Sequence, residues 1–213
     1  MTVRILQGDC RELLPKVGNF DALITDPVWP NVPEGYLAGW ERPEALLREA
    51  LNLTPASVKR VVIILRSDSD PRFLRAVPER WPFVCTQAMA YAVPMYLGRV
   101  LGGTELAYCF GEPVPSREGR RVIPMWSPKA QPSNSKANGH PCSRALAHMD
   151  WLVSWWSDPG ETVVDPFCGS GTIPLAAHRQ QRNGIGIEIE PAYVAIAEQR
   201  IAQDAPLFAA AAQ

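Results

Sequence analysis

The stretch VVDPFCGSGT at residues 163–172 constrains this chain more than any other part of its sequence. A β-branched run ends at Asp165, two glycines follow, and a helix-favouring sequence begins at Thr172. Glycines at such a turn let a ligand approach the backbone closely, and the unpaired N–H groups of a helix N-terminus attract an anionic group such as a carboxylate. No lysine follows the second glycine and the spacing is not GxGxxG, so the loop differs from the P-loop and from the dinucleotide motif.

A second motif, GIGIE at residues 184–188, follows about 20 residues after the glycine loop. Glu188 stands at the end of a predicted strand, where a carboxylate can accept hydrogen bonds from both hydroxyls of a ribose. Each motif taken alone also fits an ordinary strand-to-helix connection, with the acid capping the helix. Together, on adjacent βα units, they predict a site for a nucleoside-type cofactor.

Short hydrophobic runs alternate along the chain with stretches of helical spacing. That alternation predicts an α/β domain whose mostly parallel sheet is covered by helices on both faces. The runs at 82–93 and 104–110 predict an antiparallel hairpin at one edge, joined by the loop 94–103. The other predicted strands are 3–6, 22–25, 58–65, 162–164 and 184–187, and the predicted helices are 42–53, 71–77, 142–156, 172–181 and 191–201.

The tetrapeptide Asp26-Pro27-Val28-Trp29 directly follows the predicted strand 22–25. Ligands of open α/β sheets bind at the carboxyl ends of the strands. There the Asp26 carboxylate and the Pro27 carbonyl could accept both hydrogens of an aromatic amine, and an exposed Trp29 could stack on a base taken out of a duplex. Out of context, the same residues fit a strand-terminating turn with a core tryptophan.

The chain of 213 residues is expected to form a single domain, 1–213, with a tail at 203–213. No apolar run approaches the roughly 20 residues that span a bilayer, and the N-terminus lacks a signal-peptide pattern. A cytoplasmic protein with no membrane contact is therefore expected. The five cysteines show neither zinc spacing nor a disulfide framework, so no metal is expected.

Basic residues are concentrated between Ser116 and Arg144, although the net charge of the whole chain is only −1. The segment has six basic residues against one acid, and its proline, serine and asparagine content is typical of a loop. It is either a solvated loop with incidental charge or a surface that contacts phosphates. The candidate nucleic-acid-binding residues are Arg117, Arg120, Arg121, Lys129 and Lys136.

The paired motifs resemble those of the amino-group DNA methyltransferases, which modify adenine N6 or cytosine N4. Residues 26–29 resemble the [DNS]PP[YFW] tetrapeptide of that family, and 165–172 resemble its FxGxGT cofactor motif. Their order, catalytic motif first, resembles the β group. Further segments of similarity to that group are QGDC at 7–10, HPCSR at 140–144, where Arg replaces the usual Lys, and GIEIEPAY at 186–193.

This resemblance implies a Rossmann-like, seven-stranded methyltransferase fold, S-adenosylmethionine as cofactor, and double-stranded DNA as partner, with the target base flipped out. It implies catalytic roles for Asp26, Pro27 and Trp29. The cofactor-binding residues that it implies are Asp9, Cys10, Asp26, His140, Ser143, Arg144, Asp165, Phe167, Gly169, Gly171, Thr172 and Glu188.

Two features depart from the family pattern. Val28 replaces the second proline of the tetrapeptide, which removes one fixed φ angle and puts the rate of catalysis in question. Only residues 96–139 are available for target recognition, which predicts a short recognition loop. The aspartate of the tetrapeptide favours adenine N6 in DNA as the target. Cytosine N4, adenine in RNA and a non-catalytic binding subunit stay open, as does the oligomeric state, a homodimer included.

Overall fold

The structure, a computed structural model, describes residues 1–97, 100–116, 118–133, 139–140 and 142–210. Its strands are β1 (Val3–Gln7), β2 (Ala22–Thr25), β3 (Arg60–Arg66), β4 (Phe83–Leu97), β5 (Val100–Gly111), β6 (Thr162–Asp165) and β7 (Asn183–Glu188). Its α-helices are α1 (Cys10–Leu13), α2 (Pro43–Leu53), α3 (Leu146–Trp156), α4 (Thr172–Arg179) and α5 (Pro191–Ala210). Short 3₁₀ helices cover Leu14–Lys16 and Pro71–Ala76.

The strands of the described residues form one seven-stranded sheet in the order β1–β7–β6–β2–β3–β5–β4. Strands β1, β7, β6, β2 and β3 are mutually parallel, whereas β5 runs antiparallel to both β3 and β4. The predicted α/β fold, with a mostly parallel sheet and an antiparallel edge hairpin, is confirmed.

The two faces of the sheet are buried by different helices because side chains alternate along each strand. On one face, Val61 and Ile63 of β3 belong to the apolar cluster that includes Leu47 of α2. On the other, Val62 belongs to the cluster that includes Trp156 of α3, together with residues of α4. Both faces are covered by buried apolar side chains, and the strand ends position the residues that follow them.

Three boundaries differ from the sequence-based expectation. Strands β4 and β5 continue through most of the predicted loop 94–103. Helix α3 begins at Leu146 instead of residue 142, because Ser143 and Arg144 make tertiary contacts with other segments. Helix α5 runs to Ala210, where a tail from residue 203 was expected, and residues 211–213 lie outside the described part.

Candidate active site

A cavity of about 430 Å³ opens at the carboxyl ends of β1, β2, β6 and β7. Its walls include segments 8–11, 26–29, 165–170 and 187–190, each of which ends or follows one of those strands. The volume is in the range typical of small-molecule sites. Every residue predicted to bind a cofactor, apart from Gly171, lines this cavity.

The glycine loop joins β6 to α4 through two residues with left-handed backbone, Gly169 (φ +50°) and Gly171 (φ +74°). A Cβ atom on Gly169 would lie 2.8 Å from Nε2 of His140, and one on Gly171 would lie 2.8 Å from Cβ of Ala197. Only glycine suits both the backbone and the space. The loop therefore packs closely against His140 and Ala197, and it forms a cradle at the N-terminus of α4.

Glu188, at the end of β7, holds the glycine loop. Its Oε2 accepts the Gly169 N–H at 2.8 Å, and its Oε1 accepts the Glu190 N–H at 2.9 Å. Burial raises the pKa of Glu188, and these backbone hydrogen bonds oppose the shift. Each carboxylate oxygen has a second acceptor position. The side chain can therefore fix the loop and still accept hydrogen bonds from a ligand.

Asp165 is buried where β6 lies beside β2. Its Oδ1 accepts hydrogen bonds from Oγ1 of Thr25 at 2.7 Å and from the Phe167 N–H at 3.1 Å. Burial raises the pKa of Asp165 to about 8, so its carboxyl group is largely protonated at neutral pH. A protonated carboxyl can donate as well as accept a hydrogen bond in the cavity wall.

Asp9 and Cys10 lie at the start of the short helix α1. The Asp9 carboxylate caps this helix, since its Oδ1 accepts the Arg11 N–H at 2.8 Å, and it also binds the Arg11 guanidinium. Hydrogen bonds from the Arg11 side chain lower the pKa of Asp9. Burial raises the pKa of the Cys10 thiol to about 12. Cys10 thus adds an uncharged surface to the cavity and is not a thiolate nucleophile.

His140 lies against the glycine loop. Its Nδ1 accepts the Cys142 N–H at 3.2 Å, and its ring meets Tyr193 edge-on at a centroid distance of 4.3 Å. Burial lowers the pKa of His140 to about 4, although the negative charge of Asp26 opposes the shift. The ring is therefore neutral at neutral pH. Because Nδ1 acts as acceptor, the proton lies on Nε2, which faces Gly169.

Arg200 belongs to this site, although no sequence motif indicated it. From α5, its Nη1 donates to the carbonyl oxygen of Ser170 at 2.5 Å, to Oγ of Ser170 at 2.8 Å and to Oγ1 of Thr172 at 3.0 Å. Oγ of Ser170 also lies 3.0 Å from Oγ of Ser143. These contacts tie the glycine loop to α5 and to the segment 142–144. Arg200 lies 28 residues after Thr172 in an unremarkable helical pattern, so its spacing carries no signal.

Asp26 faces the same cavity, and Arg144 binds both oxygens of its carboxylate. Nε of Arg144 donates to Oδ2 at 2.5 Å, and Nη2 donates to Oδ1 at 2.8 Å. Nη1 of Arg144 donates to Glu105, a buried residue of β5. Burial opposes the charge of Arg144, but Asp26 and Glu105 outweigh it and raise the pKa of the guanidinium. The Asp26 carboxyl group thus lies beside a fixed cation.

The expectation that Trp29 is an exposed aromatic is wrong. Its side chain is 3% exposed and belongs to the apolar cluster on the α2 face of the sheet. The indole Nε1 donates to Oδ1 of Asp26 at 2.8 Å, and the guanidinium of Arg144 lies 4.8 Å from the ring centroid. Burial is stable here because the polar end is hydrogen-bonded and a cation covers one face. Trp29 therefore supports Asp26 and does not present a free stacking face.

The predicted nucleic-acid-binding residues have different environments. Arg121 and Lys129 are exposed. Nη1 of Arg120 lies 3.0 Å from Oδ1 of Asp158, and its guanidinium lies 5.4 Å from the ring of Trp155, so Arg120 is part of the packing. Arg117 and Lys136 lie outside the described residues.

The described ranges contain neither a metal-ligand cluster nor a helix suited to a membrane. No group of three or more His, Cys, Asp and Glu side chains in them is placed to hold a metal ion. None of the helices in that part of the chain combines the length and apolarity needed to cross a bilayer.

Comparison with known proteins connects this site to a family. Residues 100–199 match the model of the N6_N4_Mtase family, described as DNA methylase. These residues belong to the amino-group DNA methylase family. The methylase match contains Arg144, the glycine loop and Glu188, whereas Asp26 precedes it.

The chain is similar to curated enzymes over part of its length. It is 34% identical over 68 residues to the type II methyltransferase M.HpaI of Haemophilus parainfluenzae, an alignment covering 32% of this chain and 22% of that protein. The chain thus spans about a fifth of the length of this curated relative.

Among solved structures, the complex of M1.HpyAVI with SAM has a TM-score of 0.71 and 24% identity, covering 94% of this chain and 99% of that one. The PvuII DNA methyltransferase, described as cytosine-N4-specific, has a TM-score of 0.62 and 17% identity, covering 94% and 87%. At these identities the likeness establishes the fold.

Proposed function

We propose that this chain transfers a methyl group from S-adenosylmethionine to the exocyclic amino group of a base in double-stranded DNA. The observation that carries the proposal is that Asp26 and the cradle formed by Gly169 and Glu188 face one cavity. The DNA methylase match at 100–199, the type II methyltransferases and the M1.HpyAVI complex with SAM support it. We also propose a cytoplasmic location, as expected from the sequence, because it is consistent with a DNA substrate.

The described residues fit the chemical groups of S-adenosylmethionine. Gly169 lines the cavity without a side chain, and Glu188 has acceptor positions for ribose hydroxyls. The Nε2–H of neutral His140 and the N-terminus of α4 offer donors to the carboxylate of the methionine part. When bound, the cofactor supplies a methyl group on a positively charged sulfur.

The roles of Asp26 and Pro27 follow from the chemistry of an exocyclic amine. Such an amine is a poor nucleophile because its lone pair is delocalised into the base. The Asp26 carboxylate and the Pro27 carbonyl would each accept one amine hydrogen and favour the tetrahedral form. The nitrogen lone pair then bonds to the methyl carbon as the carbon–sulfur bond breaks, and the surplus amine proton is lost to solvent. Proximity and electrostatics carry this catalysis, without a covalent enzyme intermediate.

We propose adenine N6 as the target, because the tetrapeptide begins with aspartate. Cytosine N4 is the second candidate, because the structurally similar PvuII methyltransferase is described as cytosine-N4-specific. The base would leave the duplex stack to reach Asp26. The exposed Arg121 and Lys129 are proposed to contact phosphates.

The test is transfer of labelled methyl from S-adenosylmethionine to unmethylated DNA, and to RNA of matched sequence, by the purified chain. Mass spectrometry of the digested nucleosides then distinguishes N6-methyladenine from N4-methylcytosine. Asp26→Ala is expected to abolish transfer and to keep cofactor binding in calorimetry. Full activity of Asp26→Ala would contradict the mechanism. A wild-type chain that binds no cofactor would instead support a non-catalytic subunit.

A further inference from the structure

Three charged side chains form a buried cluster behind the cavity. Arg144 lies between Asp26 and Glu105, and the exposed fractions of these side chains are 10%, 14% and 5%. Tyr91, on β4, interacts electrostatically with Glu105. Asp26 and Arg144 line the cavity, whereas Glu105 is not among the described residues that do so.

The Asp26 carboxylate already accepts three hydrogen bonds, which limits the positions where it can accept another. A carboxylate offers about four lone-pair positions. Oδ1 accepts from Trp29 Nε1 and Arg144 Nη2, and Oδ2 accepts from Arg144 Nε. We infer that Arg144, anchored by Glu105, is a positioning residue that fixes the Asp26 carboxylate so that only Oδ2 can receive the amino group of the substrate. This role rests on the proposed function and differs from the cofactor contact that the family resemblance implies for Arg144.

Charge explains why a cation is needed at this point. Without Arg144, two carboxyl groups would face each other at low dielectric, and a proton would be retained on the pair. A protonated Asp26 would offer a donor where the amine requires an acceptor. Glu105 in turn depends on Arg144, because its Oε2 is buried without a hydrogen-bond partner and burial raises the pKa of Glu105. The cluster thus holds the Asp26 carboxyl group beside a cation and fixes its orientation.

Other titratable and charged side chains also interact with the cluster. None of them is replaced in the Arg144 and Glu105 variants described below, so they do not account for differences between those variants. They belong to β3, β4, β6, α3 and the segment 140–142. The titratable and charged side chains that interact with Asp26, Arg144 or Trp29 are Arg66, Tyr91, His140, Cys142, His148 and Asp165.

The experiment compares Arg144→Met, Arg144→Lys and Glu105→Gln with the wild-type chain in single-turnover methyl transfer across pH. Arg144→Met is expected to slow transfer about 100-fold through misplacement of the acceptor, without a matching change in cofactor Kd. In the plot of its transfer rate against pH, the fall on the acid side should move to higher pH, because the variant lacks the cation that favours the ionised form of Asp26. Arg144→Lys should recover part of the rate. Glu105→Gln removes a neighbouring negative charge and should move this fall to lower pH.

The matched control is Arg60→Met at the opposite end of the sheet. Arg60 makes a two-pronged pair with Glu161, at 2.9 and 2.7 Å, and its side chain is 6% exposed. It should lose stability but keep the wild-type pH profile. The positioning role is overturned if Arg144→Met has the same profile as Arg60→Met. It is also overturned if Arg144→Met loses cofactor affinity while its transfer rate at saturating cofactor stays intact.

A second measurement separates this inference from the proposed function. The indole N–H of Trp29 bonds to Asp26, so its ¹⁵N–¹H resonance, assigned with Trp29→Phe, reports protonation of that carboxylate. Its titration is expected at higher pH in Arg144→Met and Arg144→Lys than in Glu105→Gln. Identical titrations in all three variants would overturn the inference. If the wild-type chain transfers no methyl group to DNA, the proposed function fails, and this titration still decides the role of Arg144.

Discussion

Gly169→Ala changes the glycine loop at a position where two free-energy costs can be estimated separately, one for backbone conformation and one for side-chain packing. Gly169 has φ +50°, and the added Cβ would lie 2.8 Å from Nε2 and 3.2 Å from Cε1 of His140. Left-handed backbone costs a non-glycine residue about 1–2 kcal/mol. Overpacking against a buried ring typically adds about 1–3 kcal/mol. The expected loss of unfolding free energy is therefore about 2–5 kcal/mol.

Gly18→Ala is the matched control for the backbone term. Gly18 has φ +86°, and a Cβ atom there would meet nothing within 4 Å. This variant should lose only the backbone contribution of about 1–2 kcal/mol and bind S-adenosylmethionine as the wild-type chain does. Gly169→Ala should bind it about tenfold more weakly, equivalent to about 1.4 kcal/mol, because the methyl group would displace His140, which lines the cavity.

Chemical denaturation measures the free energy of unfolding of both variants, and calorimetry measures the Kd for S-adenosylmethionine. Both variants place alanine at a positive φ angle. The difference between their stability losses therefore measures the contact with His140, which only Gly169→Ala makes. Equal stability losses and equal Kd values for the two variants would refute the packing of His140 against the loop. They would also refute the placement of the cofactor over Gly169.

Four further perturbations each act on a single feature of the site or its surface. Trp29→Phe removes a donor to the Asp26 carboxylate and should slow single-turnover transfer about tenfold at unchanged cofactor Kd. Arg200→Met frees the glycine loop and should weaken cofactor binding in calorimetry about tenfold. The pKa of His140 is about 4 in the folded chain and 6.5 as its ordinary value, so only the unfolded chain gains this proton between those values. The wild-type chain should therefore lose stability relative to His140→Gln as pH falls from 6.5 to 4 in denaturation experiments. Replacing Arg121 and Lys129 with serine should reduce the slope of log K against log salt for DNA binding by about 0.9 for each phosphate that is no longer neutralised.

The local parts of the site could be predicted because their signals are local. Strand β2 ends at Thr25, and the glycine loop begins α4 at Thr172, as the pattern of residues indicates. Both positions follow from short β-branched runs and from glycines that tolerate positive φ. The carboxyl ends of parallel strands share one edge of a sheet, so Asp26 and Glu188 could be expected at one cavity.

Other parts required interactions that no local pattern contains. Trp29 could be read as an exposed aromatic or a core residue, and its hydrogen bond to Asp26 makes burial stable. Helix α3 begins only at Leu146, because Ser143 and Arg144 are bound to other segments and lie outside the helix.

Local sequence patterns were enough to predict the succession of strands and helices along the chain, the glycine loop and the acid that follows β2. Those features depend on the conformational preferences of neighbouring residues, which a chain carries whatever surrounds it. The partners of Asp26, in contrast, follow from the three-dimensional fold. Arg144 lies 118 residues from Asp26 and 39 from Glu105, and they meet because the hairpin β4–β5 lies next to β3 in the sheet. A buried charged side chain needs neighbouring groups that pair with it. Which groups are neighbours depends on the order of the strands in the sheet, not on spacing along the chain.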